Sequence, residues 1–178
     1  MFKKQKEKLK ANLDAKKYEL KQAAKEKITD AMPDPVKSVM DYKGQKDMGK
    51  ATKFIAFDVA GIYYHSDEIK SLGTVNNKFQ SDAAGTQYEY KFHNPYPVTL
   101  EFEPTNEVDP FAIKVLVNDV FIGYVPRGEN IEIGKFVRSG KPKYCHAFIK
   151  GGDHSYHKYG RMYVEEDDIQ CQVRIYYK

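Results

Sequence analysis

Tryptophan is absent from this chain, and cysteine occurs only twice, at Cys145 and Cys171. Two cysteines in 178 residues make no disulfide framework, which excludes a small cross-linked secreted scaffold. Reduced thiols in a cytoplasmic compartment are the expectation. No apolar stretch approaches the ~20 residues a membrane-crossing helix needs, so no membrane role is expected. Lys3 and Lys4 are followed by no hydrophobic run, so no secretory signal is expected. The chain also lacks a phosphate-cradling Gly-rich loop, a nucleophile elbow and a His-Glu-x-x-His pair. With none of these, the expectation is a binding protein, not an enzyme, with no cofactor.

What is present is aromatic and unevenly charged. Tyr (14) and Phe (10) are plentiful, enough to fill a β core or to form a stacking surface. The net charge is +4 from 29 basic and 25 acidic residues. Residues 1–30 hold ten lysines against Glu7, Asp14, Glu19, Glu26 and Asp30, leaving nineteen basic and twenty acidic residues for 31–178. The basic character therefore belongs to the N-terminal segment, and the remainder is close to neutral.

Residues 1–32 read as a basic helix rich in Lys, Glu, Ala and Leu. Leu9, Leu13, Leu20, Ala24 and Ile28 recur at helical spacing, with Lys17 breaking the stripe. This thin apolar face suits self-association, a basic arm along phosphates, or loose docking on the rest of the chain, whereas Phe2 and three Leu give little to insert into an anionic membrane surface. Pro33 and Pro35 stop it, and 33–53 reads as a linker.

From Phe54 the pattern becomes β. Strands are expected at 54–64, 88–92, 98–102, 112–117, 120–125, 144–149, 162–164 and 169–177, from alternation and β-branched content. Asn118-Asp119 is a two-residue hairpin signal. Ile133, Phe136 and Val137 place one short helix at 130–138. Gly151-Gly152-Asp153 and Tyr159-Gly160 mark loops. The fold class expected is α+β: an N-terminal helix, then a small antiparallel barrel or strongly curved sheet with one embedded helix over 54–178.

Residues 98–127 contain Glu103-Pro104, Asn106, Asp109, Ala112-Ile-Lys-Val115 and Ile122-Gly-Tyr-Val-Pro-Arg127. This run resembles the HIRAN domain, which occurs alone in small bacterial proteins and as the N-terminal part of some remodelling helicases. Val59–Tyr64 looks like that family's opening strand, and the resemblance extends over roughly 54–138. Two positions depart from the pattern: Glu107-Val108 stand where the family has Pro-Tyr, and Phe111 where it has Asn. The resemblance implies a modified OB-like barrel that holds the 3′ end of single-stranded DNA, with a setting in DNA repair. It assigns Tyr63 and Tyr64 to the terminal bases, Asp109 to the 3′-hydroxyl and Tyr124 to a place beside the terminal nucleotide. Arg127, Lys114 and Lys91 are the candidates for nearby phosphates.

The residue types fit that chemistry. A base stacks on Tyr for ~1–3 kcal/mol. A carboxylate accepts from a hydroxyl and repels phosphate. Read from pattern alone, the same residues have structural roles. Adjacent residues on a strand point to opposite faces, which sends one of Tyr63 and Tyr64 inward unless a bulge re-aims it. Asp109 before Pro110 closes a turn, Tyr124 lines a barrel wall, and Gly123 supplies a bend. Cys145, His146, His154 and His157 match no zinc spacing, and no metal site is expected. Glu165-Glu-Asp-Asp168 reads as a solvated turn. The alternative function is a protein-interaction module that assembles through the N-terminal helix without nucleic acid, and a metal-dependent enzyme is the least supported reading.

Overall fold

The structure, a computed structural model, describes residues 53–178. The expected N-terminal helix and all of the linker but Lys53 lie outside the described residues, and Lys53 itself opens the first strand.

The alternation expected from the sequence produces the core. In β5 (Tyr96–Phe102) the residues Tyr96, Val98 and Leu100 are buried while Pro97 faces solvent. In β6 (Ile113–Val117) Ile113, Val115 and Val117 are fully buried. Each such side chain contributes ~1.5–3 kcal/mol of burial. Asn118 and Asp119 both take positive φ, 49° and 64°, and join β6 to β7 (Val120–Tyr124) in the tight turn those residue types favour. β8 (Pro142–Gly151) and β11 (Ile169–Tyr177) supply Cys145, Ala147, Ile149, Cys171, Val173 and Ile175 to the same core.

These strands and β1 (Lys53–Asp58) form one six-stranded antiparallel sheet in the order β1-β11-β8-β5-β6-β7. The sheet curls until its two edges meet. Just past β1, Ala60 pairs with Tyr124 at the end of β7. The Ala60 N–H donates to the Tyr124 carbonyl (2.8 Å), and the Tyr124 N–H returns to the Ala60 carbonyl (2.9 Å). Mostly antiparallel β structure in a curled sheet with few helices is the OB-like architecture expected.

The second helix, α2 (Asn130–Arg138), falls at its expected position. It buries Asn130, Ile133, Gly134 and Val137, which is the i, i+3, i+4, i+7 face of an amphipathic helix. Gly134 faces the Phe102 ring and Ile113.

The structure corrects four local expectations. The run 54–64 is not one strand: β1 ends at Asp58, and Ile62–His65 is a 3₁₀ turn followed by α1 (Ser66–Ser71). The described residues therefore hold two α-helices and a 3₁₀ turn, not one embedded helix. The run 88–92 divides into β3 (Gln87–Tyr88) and β4 (Tyr90–Lys91), which pair with different partners. β4 joins β2 (Thr74–Val75), and β3 joins β9 (His154–Lys158). β9, which carries His154 and His157, is a strand where none was expected, and it pairs with β10 (Arg161–Glu165) through the Tyr159-Gly160 turn.

Candidate nucleic-acid interface

At the seam where the sheet edges meet, the chain must turn sharply away from the Ala60–Tyr124 bridge. Gly61 does this at φ 83°, a left-handed conformation that costs glycine little. The 3₁₀ turn starts at once, with Tyr64 N–H donating to the Gly61 carbonyl at 3.0 Å. Successive residues of a turn need not alternate between two faces, so the opposite-face argument for Tyr63 and Tyr64 fails. Neither is in the core: they are 78% and 83% exposed, with ring centroids 5.7 Å apart at 83°.

The turn and α1 pack against β7. His65 sets its ring 4.6 Å from Phe121, which lies 5.2 Å from Tyr124. Residues 121 and 124 would point to opposite faces of an unbroken strand. The β6–β7 register shifts, however: Val115 pairs with Gly123 and Leu116 with Phe121, leaving Ile122 as an extra residue. This bulge turns Phe121 to the outer face that Tyr124 and Lys114 share. The Lys114 ammonium lies 5.8 Å from the centre of the Phe121 ring.

A polar network continues from Tyr124. Its hydroxyl donates to Glu103 Oε2 (3.1 Å), and Asn106 Nδ2 donates to the same oxygen (2.7 Å). Lys114 Nζ reaches Glu103 Oε1 at 2.6 Å. Burial acts to raise the Glu103 pKa. Hydrogen bonds from Asn106, Lys114 and Tyr124, together with the Lys114 charge, outweigh it and hold the carboxyl below its ordinary value. The Lys114 pKa is raised, first by its hydrogen bond to Glu103. The Tyr124 phenol is raised by burial and then by the same carboxylate.

Asn106 links this network to Asp109, because its Oδ1 accepts from the Asp109 N–H at 3.0 Å. Asp109 Oδ1 accepts from Phe111 N–H (2.9 Å) and Oδ2 from Asn130 Nδ2 (2.7 Å). The turn-closing role is real, and it also fixes the carboxylate. Arg127, 78% exposed at its side chain, stands 3.9 Å from Oδ2.

The candidate residues are thus sorted by place. Tyr63 and Tyr64 lie on the turn packed against β7, the strand that carries Tyr124. Asp109 and Tyr124 are joined through Asn106 and Glu103. Arg127 borders Asp109 with its guanidinium largely in solvent. Lys114 belongs to the same face, but its charge is already matched by Glu103. Lys91 is elsewhere, paired with Thr74 on β4 in the wall of a hollow with Asn76, Tyr88 and Gly151. Sequence reasoning missed His65, Phe121 and Asn130 altogether, and it read Glu103 and Asn106 only as pattern residues. Glu101 is the register partner of Lys114 and Glu103 its diagonal neighbour, a relation that only the β5–β6 register reveals.

A cleft of about 540 Å³ is lined by Tyr63 together with Asp58, Glu89, Asp153, Asp167, Asp168 and Lys70. Its carboxylates make it a poor path for phosphates, which favours the Arg127 side for an anionic strand.

The residues weighed for zinc do not converge. Among the described residues no group of three or more His, Cys, Asp or Glu is placed to hold a metal ion. Cys145 and His146 are neighbours on β8 and therefore face opposite ways. Burial and the Asp58 charge push the Cys171 thiol up to about 12, so it is an inert core thiol. His154 and His157 face Glu165 and Asp82 at 3.5 Å each.

A curled antiparallel sheet with an exposed aromatic turn at its seam and a carboxylate–tyrosine network beside it defines a small β-barrel binding domain. The family model of the HIRAN domain matches residues 76–178, more than half of the chain, and the chain belongs to that family. The match runs through β11, well beyond 138, where core strands carry no short motif; it begins downstream of Tyr63-Tyr64. No curated protein matches the chain, and no solved structure does. HIRAN domains are in general nucleic-acid-binding domains, directed to 3′ ends of single-stranded DNA, and are not catalytic by themselves. Among the described residues no helix is long and apolar enough to cross a membrane.

Proposed function

We propose that this protein is a single-stranded DNA-binding module that captures a free 3′-hydroxyl end. The observation that carries the reading is the Tyr63–Tyr64 pair. Two adjacent rings, 78% and 83% exposed, are held on a short turn anchored by the sheet seam. Large exposed aromatics on a fixed support are what unstacked bases require. Tyr63 and Tyr64 stack on the terminal bases. Tyr124 and Asp109 border the terminal sugar, where a carboxylate welcomes a hydroxyl and repels a phosphate. Arg127 meets an internal phosphate. The near-neutral charge of the site suits an end-reader, which needs few phosphate contacts.

Fluorescence anisotropy with three short oligonucleotides of one sequence tests this: a free 3′-hydroxyl, a 3′-phosphate, and both ends blocked. Preference for the free 3′-hydroxyl is the expected result. Equal binding to all three would assign binding to the basic N-terminal segment, and binding to none would remove nucleic acid from the function.

A further inference from the structure

One side chain decides which hydrogen-bonding character Tyr124 presents to a ligand, and this inference rests on the end-binding reading above. A phenol has a single proton and two acceptor lone pairs. The Tyr124 proton points to Glu103 Oε2 at 3.1 Å. Glu103 also takes Asn106 Nδ2 at 2.7 Å and Lys114 Nζ at 2.6 Å. A carboxylate fed by three donors is ionised and accepts only. Tyr124 therefore cannot receive a proton back from Glu103 and turn its own outward. What its oxygen offers to a ligand is lone pairs.

We propose that Glu103 is a positioning residue for end selectivity: by fixing Tyr124 as a hydrogen-bond acceptor, it makes the site take a 3′-hydroxyl and reject a 3′-phosphate. A sugar hydroxyl has a proton to donate. A terminal phosphate, mostly dianionic at neutral pH, brings oxygen against oxygen. The same carboxylate holds Lys114, the register partner of Tyr124 on β6, and withdraws an ammonium that would otherwise attract phosphate.

The test measures the affinity ratio between 3′-hydroxyl and 3′-phosphate forms of one short oligonucleotide, for the full chain and its Glu103→Gln and Tyr124→Phe variants. Both variants should narrow the ratio by about tenfold. Glu103→Gln should act mainly by tightening the phosphate-ended complex, and Tyr124→Phe by weakening the hydroxyl-ended one. Melting curves identify any variant that fails to fold. A second reading needs no ligand: in Glu103→Gln the Tyr124 phenol should ionise closer to its ordinary value. A ratio unchanged in either folded variant overturns the proposal, as does an unchanged Tyr124 titration. Narrowing in Glu103→Gln alone would also overturn it, as a charge effect not routed through Tyr124. If the unmodified protein binds both oligonucleotides equally, this inference fails while DNA binding stands. If it binds neither, the end-binding reading itself has failed.

Discussion

Gly123 passes so close to Ala60 that a Cβ on it would meet the Ala60 carbonyl oxygen at 2.3 Å and Val59 Cγ1 at 2.9 Å. Its φ of 144° is also one that side-chain-bearing residues rarely adopt. The close approach is what lets the two sheet edges exchange hydrogen bonds at Ala60 and Tyr124. Gly123→Ala should therefore destabilise the fold by about 3 kcal/mol, combining backbone strain with overpacking against main chain. Urea denaturation measures the loss. Because Ala60 leads directly into the Tyr63–Tyr64 turn, DNA affinity should fall in the same variant even where it remains folded.

The two tyrosines predict the opposite pattern. At 78% and 83% exposure they contribute little to the core, so Tyr63→Ala and Tyr64→Ala should each change stability by no more than about 0.5 kcal/mol. Each should weaken single-strand binding by ~1–3 kcal/mol, the usual contribution of one stacked base. Thermal melts and anisotropy on the same preparations separate the effects. Unaltered affinity in both variants would remove the turn from the interface.

How these residues came to be placed explains what the sequence could and could not reveal. The Asn118-Asp119 turn, the 130–138 helix and the alternation in β5 and β6 were legible because each depends on near neighbours in the chain. The seam was not. Ile62-Tyr63-Tyr64 is as β-prone as any strand, and only the Ala60–Tyr124 pairing makes the chain leave the sheet at Gly61. The bulge at Ile122 was hidden for the same reason, since register is a property of two strands. It carries Phe121 to the face of Tyr124, and strict alternation would have put it on the other side. Tyr124, Asp109 and Arg127 were legible as family pattern, but the partners that orient them, Glu103 and Asn130, required the fold.

Asp109 has two roles that one substitution should expose together. Its side chain closes the turn at Phe111 and is the acceptor for Asn130, which is 3% exposed. Asp109→Ala should cost about 1–3 kcal/mol of stability, because a buried amide donor is left without its partner. In the protein that remains folded, the preference for free 3′ ends over internal single strand should disappear. Stability lost with the preference intact would leave Asp109 a turn residue only.

The Glu103 cluster sets a pH window. Glu103 has a folded pKa below its ordinary value, so its contribution is present above that ordinary value and is lost as pH falls through the lower folded pKa. Lys114 and Tyr124 are raised above 10.5 and 10.0. Their contributions are complete below those values and are lost as pH rises through the folded ones. Melting temperature against pH should therefore show an acid limb and an alkaline limb from one cluster. Glu103→Gln should flatten both, whereas a mutation of one exposed lysine outside the cluster should flatten neither.

The basic N-terminal segment tests the division of labour between end recognition and charge. It carries +5 over residues 1–30, while residues 31–178 carry −1. If that segment follows the DNA backbone, deleting residues 1–31 should reduce the slope of log affinity against log salt by ~0.7 for each phosphate no longer neutralised. The ratio between 3′-hydroxyl and 3′-phosphate ends should not move, because the groups that read the end all belong to the curled sheet and its loops. An unchanged salt slope would take the segment off the DNA, and a change in sedimentation on deletion would then assign it to self-association. A ratio that collapses on deletion would place part of end recognition in the N-terminal segment, and would overturn the assignment of selectivity to the seam.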